Sequence, residues 1–133
     1  MADPIRTALY GALVASPALT ALVGTRIYHR VAPQAATFPV CIFHKHSGTP
    51  RWTFAGRPVQ WDLWAVKGLC QGSSATRAEE IAAAIDDALN DAALTITGRE
   101  HLFLLRDSDI NLGEDEDGVQ YHTVGALYRL ASE

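Results

Sequence analysis

The stretch VQWDLWAV, residues 59–66, decides the fold class of this sequence. An alternating run of valine, tryptophan and leucine favours an extended strand over a helix. Successive side chains of a strand point to opposite faces of a sheet, so Trp61 and Trp64 are predicted to lie on opposite faces of one strand. Both faces therefore carry bulky side chains, and a sheet covered by helices on one side leaves aromatic groups on the other.

Helices are predicted at two places. A polar residue followed by proline suits the first turn of a helix, and this pair occurs at Asp3 and again at Ser16, which predicts two short helices in the first quarter of the chain. The clearest helix covers residues 76–92, where apolar side chains recur on one stripe. Thr76 and Glu79 have the spacing of a capping box at its start.

Further strands surround the opening stretch. They are predicted at residues 26–31, 40–46, 94–98, 101–105 and 119–131. The segments at 47–51 and 67–74 are predicted to be a turn and a loop, and residues 52–54 a short extended run. The order α, β, α, β with hairpin-length connections predicts an α+β fold, with an antiparallel or mixed sheet covered by helices on one face. The length of 133 residues predicts one domain over residues 1–133.

Composition and charge exclude several classes of function. The formal charge is −4, from 11 basic and 15 acidic side chains, so the chain has no general basic field for gripping DNA. Its two cysteines lack the dense spacing of a secreted disulfide framework, which favours reduced thiols. No apolar run approaches the ~20 residues that span a bilayer, so no membrane partner is expected.

The stretch DSDINLGEDEDG, residues 107–118, resembles a calcium loop but has the wrong spacing. Such a loop needs glycine at its sixth position and glutamate at its twelfth, where this stretch has Leu112 and Gly118. Ile110 and Leu112 share parity with Leu102 and Leu104, while the polar residues at 107, 109 and 111 have the opposite parity, which favours one strand from 101 to 112 instead. The acids at 114–117 then form the tip of a β-hairpin. The tip is either a solvated turn or the end of a projecting arm that reaches a partner.

A metal-binding alternative depends on His44 and His46. Two histidines spaced two apart on a strand lie on one face, which is acceptable spacing for zinc or iron ligands. A third ligand such as His122 or Asp62 cannot be placed from the sequence, and a partly exposed strand end explains the pair equally well. Cys41 lies in an apolar run that would keep its thiol protonated. No nucleophile, phosphate-binding or dinucleotide motif is present, so no catalytic residue, metal ligand or cofactor is assigned.

The predicted sheet carries large apolar side chains on both faces, more than one core beneath the helices would bury. Such an excess indicates contacts with other proteins. Either the sheet curls to cover its own second face, or that face is an interface. The candidate interface residues are Trp64, Tyr128 and Arg129, with the acidic residues Glu114, Asp115, Glu116 and Asp117.

The order of these features resembles a known family. The matching runs are SPALTALVGTRIYHRVAPQAATFPVCIFHKHSGTP, VQWDLWA, the helix at 76–92 and DEDGVQYHTVGALYRL. Together they are similar to the small tail-completion or tail-terminator proteins of long-tailed bacteriophages and prophages. The residues that carry the resemblance are Leu19, Leu22, Val23, Gly24, Ile27 and Tyr28, then Val59, Gln60, Asp62, Trp64 and Ala65, and finally Gly118, Tyr128 and Arg129.

The resemblance implies a non-enzymatic virion subunit. Members of this family form a ring, commonly a hexamer, on the head-proximal end of the tail tube, where they stop tube polymerisation and present the surface that joins the head. The implied partners are other copies of the chain, the tail tube protein and a head-tail connector or neck protein, with DNA passing through the ring without specific binding. A neck or head-closure adaptor is the alternative within the same class, and the family pattern adds no catalytic or metal residue.

Overall fold

The computed structural model describes residues 3–33, 37–52 and 58–133. The three helices are α1 Pro4–Val14, α2 Pro17–Val23 and α3 Thr76–Leu89. The five strands are β1 Ile27–His29, β2 Val40–Trp52, β3 Pro58–Gln71, β4 His101–Glu116 and β5 Val119–Ser132. The strands form a mixed sheet in the order β1-β2-β3-β5-β4, with β1 parallel to β2 and the other neighbours antiparallel. The predicted α+β class is confirmed.

The core lies between the sheet and the helices. Helix α3 packs against β3 and β5, and α1 and α2 pack beside α3. On β3, Trp64, Val66 and Gly68 face this layer. Gly68 allows the closest approach, because a Cβ atom at this position would overlap the side chain of Ile81 on α3. The missing side chain is what lets the helix lie directly on the strand.

The first two helices begin as predicted, and the third does not. Asp3 accepts a hydrogen bond from the amide of Ile5 at 2.9 Å, and Ser16 accepts one from Leu19 at 3.3 Å. At α3 the cap position is Ala75, and Thr76 already belongs to the first turn. The predicted capping box is therefore wrong, because its hydroxyl lies one residue too late to cap the helix.

The long hairpin of β2 and β3 contradicts two predicted connections. Residues 47–51 were expected to turn and residues 67–71 to form a loop, yet both belong to strands. Pairing along the whole hairpin overrides the turn-forming residues of SGTPR. Beyond Phe43, β2 has no outer partner among the described strands, and an edge strand is where a sheet tolerates a proline such as Pro50. Of the extended run expected at 52–54, Trp52 ends β2 and the other two residues lie outside the described part.

The strand expected at 94–98 is also wrong. Leu94 and Ile96 alternate as in a strand and are buried in the core, yet neither belongs to the sheet. The segment links α3 to β4 and fills the core with its apolar side chains. A strand pattern therefore arises here from burial alone, without a ladder of hydrogen bonds.

The β4–β5 hairpin is longer than predicted but does not form a projecting arm. It closes through Asp117 and Gly118, whose positive φ angles of 52° and 79° fit a two-residue hairpin turn. Strand β3 accompanies β5 as far as Tyr121, and Gly72 donates a further hydrogen bond to Gln120 at 3.0 Å. Only the last residues around the turn extend past the third strand, so the projecting hairpin is not confirmed.

Candidate interaction surfaces

Two of the residues predicted for an interface lie in the core. Trp64 and Tyr128 are each 1% exposed and pack beneath the helices. The Tyr128 hydroxyl donates to Asp86 of α3 at 3.0 Å, and burial together with this carboxylate raises the pKa of Tyr128. Neither side chain can touch a partner while the helices stay in place. Their role is to hold α3 on the sheet.

The aromatic group on the other face is centred on Trp61. Its ring packs edge-on against Phe103 with centroids 5.4 Å apart, and the guanidinium of Arg129 lies 5.7 Å from the Trp61 ring centroid. Arg129 also pairs with Asp107 at 2.9 Å. We call this side of the sheet the open face. Of the predicted interface residues, Arg129 is on the open face.

Exposed leucines flank this group along β4. Leu105 pairs with Arg129 in the sheet, and Leu112 lies farther along the strand and is 55% exposed. An irregularity in the β4–β5 register follows Arg106, and it reverses the alternation of side chains along β4. Ile110 and Leu112 therefore do not share a face with Leu104, contrary to the expected parity. The open face is apolar along its centre, which is a common feature of protein-binding surfaces.

The acidic tip, residues 114–117, lies at one corner of the sheet. Glu114, Asp115 and Asp117 are exposed, and within the described part of the chain none of them forms an ion pair. The acids closer to the middle of β4 differ, because Asp109 pairs with Arg106 at 2.7 Å. Uncompensated negative charge is thus concentrated at the turn.

A cationic cleft lies at the opposite edge of the sheet, between α1 and the first two strands. Its lining residues are Arg6, Thr7, Tyr10, His29 and Phe43, and its volume is about 250 Å³. The rings of His29 and Phe43 lie 5.3 Å apart, and those of Tyr10 and Phe43 lie 6.3 Å apart. Partial burial, Arg6 and the adjacent Arg30 lower the pKa of His29, although Asp3 acts in the opposite direction. Three sequence-distant segments form this cleft, and no local sequence pattern predicted it.

The surroundings of His44 and His46 disfavour the binding of a metal cation. Burial and the positive charges of Lys67, His46 and Arg30 lower the pKa of His44. The suggested third ligands are engaged elsewhere. The Asp62 carboxylate is buried and accepts from Gln60 at 2.8 Å, and His122 is bonded to the Gly72 carbonyl at 2.9 Å. Across residues 3–33, 37–52 and 58–133, no three His, Cys, Asp or Glu side chains are gathered to hold a metal ion.

The thiols are both buried. Burial raises the pKa of Cys41 to about 12. Cys70, which the sequence placed in a loop, lies at the end of β3, where its thiol points to the carbonyl of Ser74 at 3.6 Å.

In the described part of the chain, no helix by itself has the length and apolar character to cross a membrane, although α1 and α2 meet that criterion as a pair bent by 83°.

Exposed charged and apolar surfaces on a mixed sheet are features of a protein that binds other proteins. The family model described as tail completion protein gp17 matches residues 7–126. The chain therefore belongs to the tail completion protein family, whose members are structural proteins of the phage tail and not enzymes. Its location is the virion tail.

Comparison with solved structures supports the fold. A chain from the virion of a native gene transfer agent particle superposes with a TM-score of 0.83 at 19% sequence identity, covering 97% of this chain and 95% of that one. At this identity the likeness concerns the fold alone. No curated protein sequence gives a significant match.

Proposed function

We propose that this protein forms a ring on the head-proximal end of the tail tube, ends polymerisation of the tube and provides the surface that joins the head. The family match over residues 7–126 carries this proposal. The fold supports it, since a chain of the same architecture occurs in a gene transfer agent virion. The proposed partners are further copies of this chain, commonly six in a ring, the tail tube protein and a connector or neck protein.

The distribution of charge is compatible with a ring. A closed ring needs two different patches on each subunit, and each patch must match the other patch on the next copy. The acidic tip and the cationic cleft are two such patches on opposite edges of one sheet. The open face and Arg129 remain available for a tube or neck protein. With a net charge of −4, the subunit also lacks the cationic excess that would hold DNA in a lumen.

Deletion of the gene from its phage or prophage tests the proposal. We expect tubes of uncontrolled length without attached heads in electron micrographs, with normal length and attachment restored by the wild-type gene supplied in trans. Unjoined tails of normal length would instead identify a neck or head-closure adaptor. Normal tails with attached heads would contradict both roles.

A further inference from the structure

We propose that the acidic tip of one copy seats in the cationic cleft of the next copy around the ring. This inference rests on the proposed function, and it names the surfaces through which neighbouring subunits meet. Arg6 lines the cleft, Arg30 follows the lining residue His29 along the chain, and the tip carries Glu114 and Asp115. Within the described part of the chain, none of these four charges is used in an ion pair.

Both surfaces also carry apolar side chains. The tip is a narrow hairpin end closed by a two-residue turn, and Val119 beside it is 38% exposed. The cleft has an aromatic wall in which Tyr10 is 44% exposed and Phe43 lies beneath. An apolar contact from Val119 to Tyr10 would therefore accompany the charge contacts. Exposed ion pairs contribute little to the stability of an interface. The apolar contact would therefore be needed in addition to the charge contacts.

The tip cannot reach the cleft of its own chain. Strands β1 and β4 form opposite edges of the sheet, four strand spacings apart, which is roughly 19 Å. Both features nevertheless lie in the half of the sheet where β2 begins and β3 ends. Along the strands, Phe43 of the cleft lies level with Val66 of β3, and Glu114 of the tip lies level with Gln71, roughly 17 Å farther on. A second copy can therefore present its tip to the cleft when the strands are inclined to the ring axis, because rotational symmetry allows no shift along that axis.

Side chains, and not a continued sheet, would form this contact. On β2, the register is irregular between Lys45 and Ser47, and Pro50 lacks an N–H group. On β4, the outer edge is partly occupied, because Leu104 accepts from Asp91 and Arg106 donates to the side chain of Asn90. A ladder between these two edges would be short. Charge reversal is therefore a more direct test than blocking main-chain pairing.

Two variants separate the two sides of the contact. The tip variant is Glu114→Lys/Asp115→Lys, which leaves the Asp117 turn intact. The cleft variant is Arg6→Glu/Arg30→Glu. The matched control, Glu80→Lys/Asp87→Lys, makes the same charge change as the tip variant on exposed positions of α3.

Sedimentation velocity at low salt is the measurement. We expect the wild type and the control to self-associate in a salt-sensitive manner. Each of the other two variants should associate at least about ten-fold more weakly than the wild type. An equimolar mixture of the tip and cleft variants should regain wild-type association, because both contacts around the ring are then complementary again. Circular dichroism establishes that each variant is folded.

Three results would overturn the inference: a wild type that stays monomeric at every concentration reached, variants that associate like the control, or a mixture that fails to recover. A cleft variant that associates normally but loses binding to a short DNA duplex would assign the cleft to DNA instead. These outcomes are separable from the function. If association survives charge reversal while gene deletion still gives uncontrolled tails, the ring forms through another surface. If gene deletion leaves the tails normal, the proposed function is contradicted, whereas the contact between subunits is not.

Discussion

The close contact between Gly68 and helix α3 predicts a large effect from a single methyl group. A Cβ atom at Gly68 would lie 2.6 Å from Cβ of Ile81 and 3.3 Å from the carbonyl oxygen of Ala78. Because the second neighbour is a backbone atom, α3 must move away from β3 before Gly68→Ala can fit. Overpacking of this kind costs roughly 1–3 kcal/mol. In a domain of this size, each kcal/mol lowers the melting temperature by roughly 3–5 °C.

Urea unfolding followed by tryptophan fluorescence measures this cost, with Gly113→Ala as the matched control. A Cβ atom at Gly113 has its nearest neighbour at 4.0 Å, so this variant should be as stable as the wild type or slightly more stable. Adding Ile81→Ala to Gly68→Ala removes the outer atoms of the Ile81 side chain but keeps its Cβ atom at 2.6 Å, so it relieves only part of the overlap. The double variant should therefore lose slightly less stability than the sum of the two single changes. A Gly68→Ala variant with the wild-type midpoint would refute the packing of α3 on β3.

Three further changes test individual contacts. Tyr128→Phe removes the hydroxyl that donates to Asp86 at 3.0 Å and should lower the free energy of unfolding by about 0.5–1.5 kcal/mol in urea titrations. Lys45→Met leaves the buried carboxylate of Asp62 without its cation at 3.4 Å and should cost roughly 1–3 kcal/mol, part of which Lys45→Met/Asp62→Asn should recover. Folding raises the pKa of Cys41 from its ordinary value of 9.0 to about 12. The protonated thiol therefore contributes stability that is fully present below pH 9 and is lost as the pH rises from 9 towards 12. Thermal melts over this pH range should show a smaller loss of stability for Cys41→Ala than for the wild type.

Local chemistry made several elements predictable. The caps at Asp3 and Ser16 stand directly before the helices they start, so three or four residues were enough to locate them. The alternation in VQWDLWAV likewise survives in β3, with Trp61 and Trp64 on opposite faces as expected. The aspartate and glycine at 117–118 supply the positive φ angles that the hairpin turn needs.

The wrong predictions of secondary structure and of strand faces share a physical cause, because the pairing between distant strands, and not the local sequence, determines the structure there. SGTPR has the composition of a turn, but pairing with β3 carries it into β2. Leu94 and Ile96 have the alternation of a strand, but no neighbouring strand pairs with them. Along β4, one irregularity after Arg106 was enough to move Ile110 to the opposite face from the one parity indicated.

The candidate site was less predictable than the fold. Parity placed one tryptophan on each face but could not tell which face the helices cover, so Trp64 was selected where Trp61 is the more accessible ring. The cationic cleft joins Arg6 of α1, His29 of β1 and Phe43 of β2, and no local pattern brings them together. The family resemblance, in contrast, followed from the order of short motifs along the chain, and the family model confirms it.

Growth of purified tail tubes in the presence of this protein tests the central claim most directly. Gold-labelled protein added to polymerising tube protein should stop elongation and mark a single end of each tube in electron micrographs. The mean tube length should fall as more of the protein is added. Label along the tube walls, label at neither end, or elongation that continues unchanged would contradict a terminating ring.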